Sequence, residues 1–364
     1  MLACFPSHLA LLAPAQPEPG YTSDDLVEQA LLWGGFIAFI LCVVVFDLFF
    51  VGKRHQEIKP AKALVLTGIF VGMGLLFAPV LFWIYSANLG HVASGITGGV
   101  MEQPGVSPGE AVAQYLQAWL LEYSLSVDNL FIFTLVFTHF KVEKSSQHRV
   151  LFWGIIGALV FRGLMIAAGA ALISAAWWVL YLFAAILLYT AIKLAFSKDD
   201  HHIDFDNSRI VRLVRRLVPL TTKYDGDRFF LVEAGKRFAT PLLIVLVIIE
   251  STDIVFALDS IPAAFGVTRE PFIVFAANMF AIMGLRSLYF ALAGLMNSFS
   301  YLKYSLAAVL GFIAVKMLIA HEVSAIGFPG YPVPTWLSLS VIVIALAAGI
   351  VASIIATRRK NAAL

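Results

Sequence analysis

Polar residues with cation-binding side chains interrupt two otherwise apolar stretches of the sequence. The first stretch reads Glu-Tyr-Ser-Leu-Ser-Val-Asp-Asn from Glu122 to Asn129, and the second reads Glu-Ser-Thr-Asp-Ile-Val-Phe-Ala-Leu-Asp-Ser from Glu250 to Ser260. Carboxylate, amide and hydroxyl oxygens are hard ligands that Mg²⁺, Ca²⁺ and Mn²⁺ prefer, whereas copper and zinc favour thiolate or imidazole. The candidate metal ligands are Glu122, Asp128, Asn129, Glu250, Asp253, Asp259 and Ser260.

Helical geometry groups these ligands on faces. Residues seven positions apart return to nearly the same side of a helix, so Glu122 shares a face with Asn129, and Asp253 shares one with Ser260. An ionisable group at the centre of a membrane helix costs about 2.5–3.5 kcal/mol on insertion scales and marks a function by default. Asp128 and Asp253 lie about twelve residues into their predicted helices, near the bilayer midplane, and are the predicted core ligands.

Proline predicts an irregularity beside one of these acids. Pro262 has no backbone N–H to donate within its helix. We therefore expect the helix to kink or unwind near Asp259 and to free the carbonyl oxygen of Leu258 for coordination.

Composition places the chain in a membrane. Of its 364 residues, 60% are hydrophobic and 13% are charged, whereas soluble domains carry about 25% charged residues. Because about 20 apolar residues cross the hydrocarbon core as a helix, nine runs qualify as spans. The prediction is an all-α polytopic membrane protein. Its predicted spans are 31–51, 63–85, 116–138, 150–173, 177–196, 241–265, 271–295, 305–320 and 336–356.

Basic residues predict the orientation, because loops rich in Lys and Arg are retained on the cytoplasmic side. The loops that alternate with these basic loops along the chain contain almost no Lys or Arg. The N-terminus is therefore expected outside, and the C-terminus inside, a bacterial inner (plasma) membrane. The expected organisation is an external segment at 1–30, a transmembrane domain at 31–356 and a cytoplasmic tail at 357–364. The basic residues concentrate in 52–62, 141–149, 198–237 and 358–360.

The membrane domain contains a sequence repeat, at about 116–196 and 241–320, joined by a cytoplasmic loop at 197–240. By the charge-derived orientation the two three-helix units run in opposite directions, so they are predicted inverted repeats of the kind that many secondary transporters use. An alignment that pairs Glu122 with Glu250 stays open. The matching positions are Glu122 and Asp253, Asp128 and Asp259, Arg162 and Arg286, and Lys193 and Lys316.

The basic residues of the spans allow two interpretations. In the first they form structural salt bridges with the acids, and no ion binds. However, five acids against four bases leave a carboxylate that is costly to bury unless an ion or a proton neutralises it. We therefore expect the bases to compensate the acids or gate the site, and protons to be exchanged for the metal. Asp47, near the inner end of the first span, is interpreted as an interfacial charge outside the site. The compensating or gating residues are Arg162, Lys193, Arg286 and Lys316.

The cytoplasmic loop carries two local patterns. His201 and His202 lie among aspartates, which indicates either a solvated acidic loop or a regulatory metal site. Residues 229–240 place two apolar runs around Ala234-Gly235 and predict a small β-hairpin.

Two common catalytic motifs are missing from the sequence. There is no phosphate-binding Gly-rich loop and no HExxH pair, so we expect neither an enzyme nor an ATP-driven pump, and no permanently bound cofactor. Cys4 and Cys42 form no CxxC pair, which disfavours a thiolate metal site. Cytoplasmic retention explains the loop arginines better than a nucleic-acid partner does.

Three stretches resemble the TerC/Alx family of membrane proteins. They are the run that starts at Glu122, the run from Glu250 extended through Ile-Pro-Ala, and Phe-Phe-Leu-Val-Glu from Phe229 ahead of Ala239-Thr-Pro. The resemblance covers roughly residues 30–356. It implies manganese export, tellurium resistance in some members, and kinship with a broader superfamily of cation and amino-acid exporters. It also implies an ion-binding set of Glu122, Asp128, Asn129, Asp253, Asp259 and Ser260.

The expected function is secondary export of a divalent cation, with Mn²⁺ first and Ca²⁺ or Mg²⁺ behind it. Two other classes stay open: a non-transporting membrane assembly or tellurium and metal-stress tolerance factor, and a small-solute exporter. Carboxylates outnumber bases in the spans, whereas an exporter of anions or zwitterions should aim bases or helix N-termini at its substrate. The lipid bilayer and the ion are the expected partners, and the sequence does not set the oligomeric state.

Overall fold

The structure is a computed structural model that describes residues 23–51, 60–94, 106–176, 178–196, 211–212, 216, 218–233, 235–292, 301–325 and 333–362. Helices dominate these residues, with one short 3₁₀ segment at Leu89–Ser94 and two short strands. The strands are β1 (Phe230–Glu233) and β2 (Lys236–Ala239). The helices are α1 (Ser23–Val51), α2 (Pro60–Ser86), α3 (Pro108–His139), α4 (Lys144–Ala175), α5 (Val179–Phe196), α6 (Pro241–Val267), α7 (Pro271–Met283), α8 (Leu285–Leu292), α9 (Leu302–Ala325) and α10 (Thr335–Ala362).

The helix lengths fit a membrane. Among the described residues, eight helices (α1 to α6, α9 and α10) are long and apolar enough to cross a bilayer, and α7 with α8 forms one further candidate that bends by 41°. The all-α polytopic class predicted from composition is therefore confirmed. The predicted seventh span, 271–295, is wrong as a single helix, since the chain breaks at Gly284 between α7 and α8.

Proline and hydroxyl residues begin several of the helices. Pro108, Pro241 and Pro271 each occupy the first turn, where the missing N–H is unneeded and the fixed φ already suits a helix. Ser107 caps α3, accepting a hydrogen bond at 3.3 Å from the Glu110 N–H.

The two strands form the predicted hairpin just before α6. They pair antiparallel, with Glu233 opposite Lys236. Gly235 in the connection has φ of 77°, a conformation that favours glycine because it has no Cβ. The hairpin predicted at 229–240 is confirmed.

Pro262 does not unwind its helix. α6 runs without interruption from Pro241 to Val267, so the predicted unwinding beside Asp259 is wrong, while the alternative, a kink, stays a prediction. The proline removes one hydrogen bond, but the turns on either side and the helices packed around α6 hold the backbone in place. The break in this part of the bundle lies at Gly284 instead.

Packing joins the first set of membrane helices to the second. α5 lies along α9, while α3 and α4 both pack on α6 and α7. Aromatic rings of Phe36, Phe77, Phe272 and Phe280 fill the junction of α1, α2 and α7. The outer surface exposes large apolar side chains such as Leu76, 70% exposed, as expected for helices surrounded by lipid. The centre of the bundle therefore lies between α3, α4, α6 and α7.

Candidate ion-binding site

Arg162 lies at the centre of the bundle, where its guanidinium is 1% exposed. Its Nη1 donates hydrogen bonds to Glu122 Oε2 at 2.7 Å and to Asn278 Oδ1 at 3.0 Å. Its Nε and Nη2 donate to the two oxygens of Asp253 at 3.2 and 3.0 Å. A guanidinium held on both edges by carboxylates forms strong, charge-assisted hydrogen bonds. One side chain therefore links four helices.

The α3 side of the network comes from one helical face. Glu122, Ser126 and Asn129 are spaced four and three positions apart, and all are at most 2% exposed. Asn129 Nδ2 approaches Asp253 Oδ1 at 3.5 Å. The seven-residue spacing of Glu122 and Asn129 thus turns both toward the neighbouring helices, as helical periodicity predicts.

The α6 side of the network repeats this spacing. Asp253 is 4% exposed and Ser260 is 2% exposed, and the Ser260 hydroxyl lies beside the Glu122 carboxyl group. Glu250 sits one turn before Asp253, close enough for their charges to repel. Its carboxyl group covers Gly157 of α4, where an added Cβ would overlap it. The glycine therefore lets an acid fit against the helix.

Asn278 belongs to the network although the prediction omitted it. The residue is fully buried at 0% exposure, and its amide oxygen accepts the 3.0 Å hydrogen bond from Arg162. It is the lone amide in the apolar run Pro271–Met283. The sequence alone could have identified this residue, because an isolated amide in a membrane span needs a hydrogen-bond partner.

Several polar atoms of the site lack hydrogen-bond partners. Ser126 Oγ and Glu250 Oε2 are buried without one. Ser260 Oγ and Asn278 Nδ2 lie close to the Glu122 carboxyl group but form no hydrogen bond of normal geometry with it, so Glu122 Oε1 is also unsatisfied. Each unsatisfied buried polar group costs about 1–3 kcal/mol. Counted as ionised, Glu122 and Asp253 outweigh Arg162 by one negative charge. The site thus offers free oxygen ligands and a negative surplus that a cation or proton would relieve.

The remaining predicted ligands lie away from the Arg162 network or outside the described residues. Asp259 faces α5, where it accepts a 2.8 Å hydrogen bond from Thr190 Oγ1, so the structure does not bring it into the Arg162 network. Asp128 belongs to α3, but its side chain lies outside the described residues, as do His201 and His202.

The other bases of the spans do not contact the network. Lys193 is exposed near Asp259, and Lys316 interacts electrostatically with Glu110. Arg286 pairs with Asp47 of α1, with 3.0 Å between Nη2 and Oδ2. The interpretation of Asp47 as an interfacial charge is therefore wrong, because helix rotation turns it inward to a buried arginine. Of the four predicted compensating bases, only Arg162 reaches Glu122 and Asp253.

The acids do not form a metal cage in this arrangement. Across the described ranges, no three His, Cys, Asp or Glu side chains converge in a way that would hold a metal ion. The reason lies in Arg162, whose planar group separates the carboxylates of Glu122 and Asp253. Ion binding by these acids requires the guanidinium to leave them.

The membrane helices and their buried charged network define a polytopic integral membrane protein. The chain belongs to the integral membrane protein TerC family, whose family model matches residues 107–361. It is 41% identical over 327 residues to "Uncharacterized membrane protein STKORF319" of Myxococcus xanthus, covering 90% of this chain and 93% of the relative.

Two further relatives share one name. "Putative membrane-bound redox modulator Alx" of Photorhabdus laumondii is 40% identical over 294 residues, covering 80% of this chain and 87% of the relative. The protein of the same name from Escherichia coli K12 is 39% identical over 319 residues, covering 87% and 92%. No solved structure matches the chain.

Proposed function

We propose that this protein exports a divalent cation, Mn²⁺ first, by secondary transport through the site around Glu122 and Asp253. One observation carries the proposal: two buried acids from different helices converge on Arg162, and oxygens beside them lack partners. In this mechanism Arg162 stands in for the transported ion and withdraws when the ion binds. Such an exchange keeps a positive charge beside the two buried carboxylates at every stage.

The ligand chemistry supports a hard cation. Glu122, Asn129, Asp253 and Ser260 supply carboxylate, amide and hydroxyl oxygens, and the described site contains no thiol or imidazole. Oxygen ligands suit Mn²⁺, Mg²⁺ and Ca²⁺ alike. The choice of Mn²⁺ among them rests on the family resemblance and not on the geometry.

Protons are the proposed counter-ion. When the metal leaves, Arg162 can neutralise only one of two carboxylates, and Glu250 adds a third acid close by. A proton on one of these acids would restore the balance in a low-dielectric site. Efflux from vesicles should therefore accelerate when a proton gradient is imposed, and efflux that ignores the gradient would overturn the coupling while leaving transport itself standing.

Intracellular manganese tests the proposal directly. Cells without their own exporter would carry wild type, Glu122→Gln or Asp253→Asn at equal membrane abundance under manganese load, with elemental analysis as the readout. We expect wild type to lower the metal severalfold and both variants to lose this effect. Asp227→Asn is the matched control, since it removes an acid from a half-exposed ion pair with Arg149.

The outcomes of this assay distinguish cation export through this site from the alternatives. If the variants act like wild type, Glu122 and Asp253 are structural and the cation pathway lies elsewhere. If wild type leaves manganese, calcium and magnesium unchanged, cation export is wrong and a non-transporting role in membrane assembly or metal-stress tolerance is favoured.

The name shared by two relatives favours a redox role as the second candidate. A thiol-based role would need the cysteines, of which Cys42 is free and exposed in α1 and Cys4 lies outside the described residues. A double variant, Cys4→Ala with Cys42→Ala, should lower manganese as well as wild type does if the protein is an exporter. Loss of the effect would favour thiol chemistry instead.

A further inference from the structure

A second buried ion pair joins α1 to the broken helix. Arg286 Nη2 lies 3.0 Å from Asp47 Oδ2 and donates a longer hydrogen bond, 3.3 Å, to the Asp47 carbonyl oxygen. The side chains are 4% and 14% exposed. The pair connects the region matched by the family model, which begins at residue 107, to a helix outside that region. Burying two charges is costly, and their mutual attraction offsets this cost only when the geometry is good.

The pair lies at a point where the bundle can move. Arg286 is the second residue of α8, directly after the 41° bend at Gly284. α1 packs mainly on the 3₁₀ segment, and only 11% of its membrane span is buried. α8 packs on α2, but α1 and α8 contact each other little apart from this ion pair. The ion pair is therefore the main link between α1 and α8, and these two elements can move apart when it breaks.

Two small cavities lie beside the pair. Asp253 and Arg286 line the same cavity, of about 20 Å³, together with Ala158 of α4. Asp47 and Met283 line a second cavity, of about 10 Å³, which shares Ile155 with the first. A single water needs about 10–15 Å³, so neither cavity admits a hydrated cation. The space between Arg286 and Asp253 is therefore too small for a hydrated cation in this arrangement.

Charge identifies the end that the pair closes. Asp47 lies four residues before Val51, the end of α1, and Lys53 and Arg54 follow. Basic loops are cytoplasmic by the positive-inside rule. Arg286 precedes Leu292, the end of α8, by six residues, or about 9 Å along a helix. The pair thus lies between the Arg162 network and the predicted cytoplasmic surface.

We propose that the ion pair of Asp47 and Arg286 is the cytoplasmic gate of the site around Asp253. This inference rests on the transport function proposed above and identifies where the cation enters the site. While Asp47 holds Arg286, the cavity beside Asp253 is sealed from the cytoplasm. When the pair opens, α1 and α8 move apart and a cation reaches Asp253 from inside. Asp47 is then a positioning residue, because it acts through Arg286 and not on the ion.

Cysteine labelling tests the gate without measuring transport. In a chain with Cys4→Ala and Cys42→Ala, the change Ala158→Cys places a thiol in the cavity between Asp253 and Arg286. A charged methanethiosulfonate reagent is added to inside-out vesicles, and the labelling rate is measured. We expect slow labelling with the pair intact and a rate roughly tenfold higher or more with Asp47→Asn, since the buried pair is broken.

Matched variants control for general disruption of the fold. Asp225→Asn breaks an exposed ion pair with Arg228, 3.2 Å long, and should leave the labelling rate unchanged. Exchanging the charges, with Asp47→Arg and Arg286→Asp together, should restore slow labelling. Arg286→Gln breaks the pair from the other side and replaces Asp47→Asn if that variant does not accumulate in the membrane.

The outcomes separate the gate from the transport function. A labelling rate that Asp47→Asn and Arg286→Gln leave unchanged overturns the gate, as does fast labelling of the Ala158→Cys chain with the pair intact. If the rate rises as expected while wild type moves no cation in the manganese assay, the gate stands and the proposed cargo fails. If manganese falls but labelling never changes, the transport function stands and the gate fails.

Discussion

Arg162 contacts both acids of the buried network, and among the described residues no other base does so. A guanidinium is always charged, and its fork matches carboxylate geometry. It can therefore hold Glu122 and Asp253 together in the absence of an ion. The same property makes it a competitor for any cation that these acids bind.

Replacing Arg162 should reveal its competition with a cation for Glu122 and Asp253. Arg162→Gln leaves two buried carboxylates unpaired and should lower stability by about 3–5 kcal/mol. Mn²⁺ should recover part of that loss in the variant and stabilise wild type much less, because in wild type it must displace the guanidinium. Melting temperatures in detergent with and without Mn²⁺ measure both effects.

A second arginine of the same helix provides the control. Arg149→Gln breaks an ion pair with Asp227 that is 2.9 Å long but 39% and 40% exposed, so it should cost about 0–1 kcal/mol. Equal stabilisation of wild type and Arg162→Gln by Mn²⁺ would contradict the role of Arg162 as a substitute cation.

Glu270, in the turn between α6 and α7, predicts a pH dependence of stability. Burial raises the pKa of Glu270 to about 7 from an ordinary value of 4.5, and its Oε2 has no partner. The folded protein therefore keeps a proton that the unfolded chain releases, so stability falls as pH rises from about 4.5 through 7. The loss should be on the order of 3 kcal/mol.

A single substitution should remove this dependence. Melting in detergent from pH 5 to pH 8 should show a falling midpoint for wild type and a flatter profile for Glu270→Gln, which stays neutral throughout. Glu143→Gln alters an exposed carboxyl group and should leave the wild-type slope in place. Parallel profiles for wild type and Glu270→Gln would show that another group titrates.

At the scale of elements, glycines decide how closely the helices approach. Gly266 of α6 faces α9, where an added Cβ would lie 2.5 Å from Ile313 Cγ2 and 2.7 Å from Met317 Sδ. Small residues at such contacts let membrane helices pack by van der Waals attraction. The α6–α9 contact therefore depends on the absence of a side chain.

Gly266→Ala should weaken that contact. The extra methyl group forces Ile313 and Met317 to move, and overpacking of this kind costs about 1–3 kcal/mol. Gly72→Ala in α2 is the matched control, since nothing lies within 4 Å of its added Cβ. In a melting experiment in detergent, a variant at Gly266 as stable as the variant at Gly72 would contradict the close packing.

At the scale of the whole molecule, the charge pattern predicts that the N-terminus is outside and the C-terminus inside. Green fluorescent protein fused after Leu364 should fluoresce, because it folds in the cytoplasm. Alkaline phosphatase fused after Val333, in a loop without basic residues, should be active, because it folds outside. The reverse pattern would invert the molecule and move the proposed gate to the external side.

The two units of the repeat pack closely, yet their inverted relation stays a prediction. α3 and α4 both pack on α6 and α7, and α5 packs on α9, so the proposed site lies where the units meet. The partners of the repeated residues differ, however. Arg162 binds Glu122 and Asp253, whereas Arg286 binds Asp47. Any symmetry of the backbone is therefore broken by the side chains.

The sequence by itself determined the membrane class, the positions of every span except the broken seventh, and the acids in them. The bilayer makes this possible, because its thickness sets helix length and its low dielectric makes each buried charge conspicuous. The face shared by Glu122 and Asn129 followed from helical period alone. Local rules also predicted the hairpin before α6, since its apolar runs and Gly235 lie within a few residues of one another.

Only the tertiary structure decided which charge meets which. Helices that are apolar on every side carry little periodicity to mark their buried face, so their rotation depends on packing against neighbours. That rotation brought Asn278 into the Arg162 network, turned Asp259 toward Thr190 and paired Asp47 with Arg286. The same packing kept α6 continuous through Pro262. These contacts join residues far apart in the chain, and spacing along a single helix does not encode them.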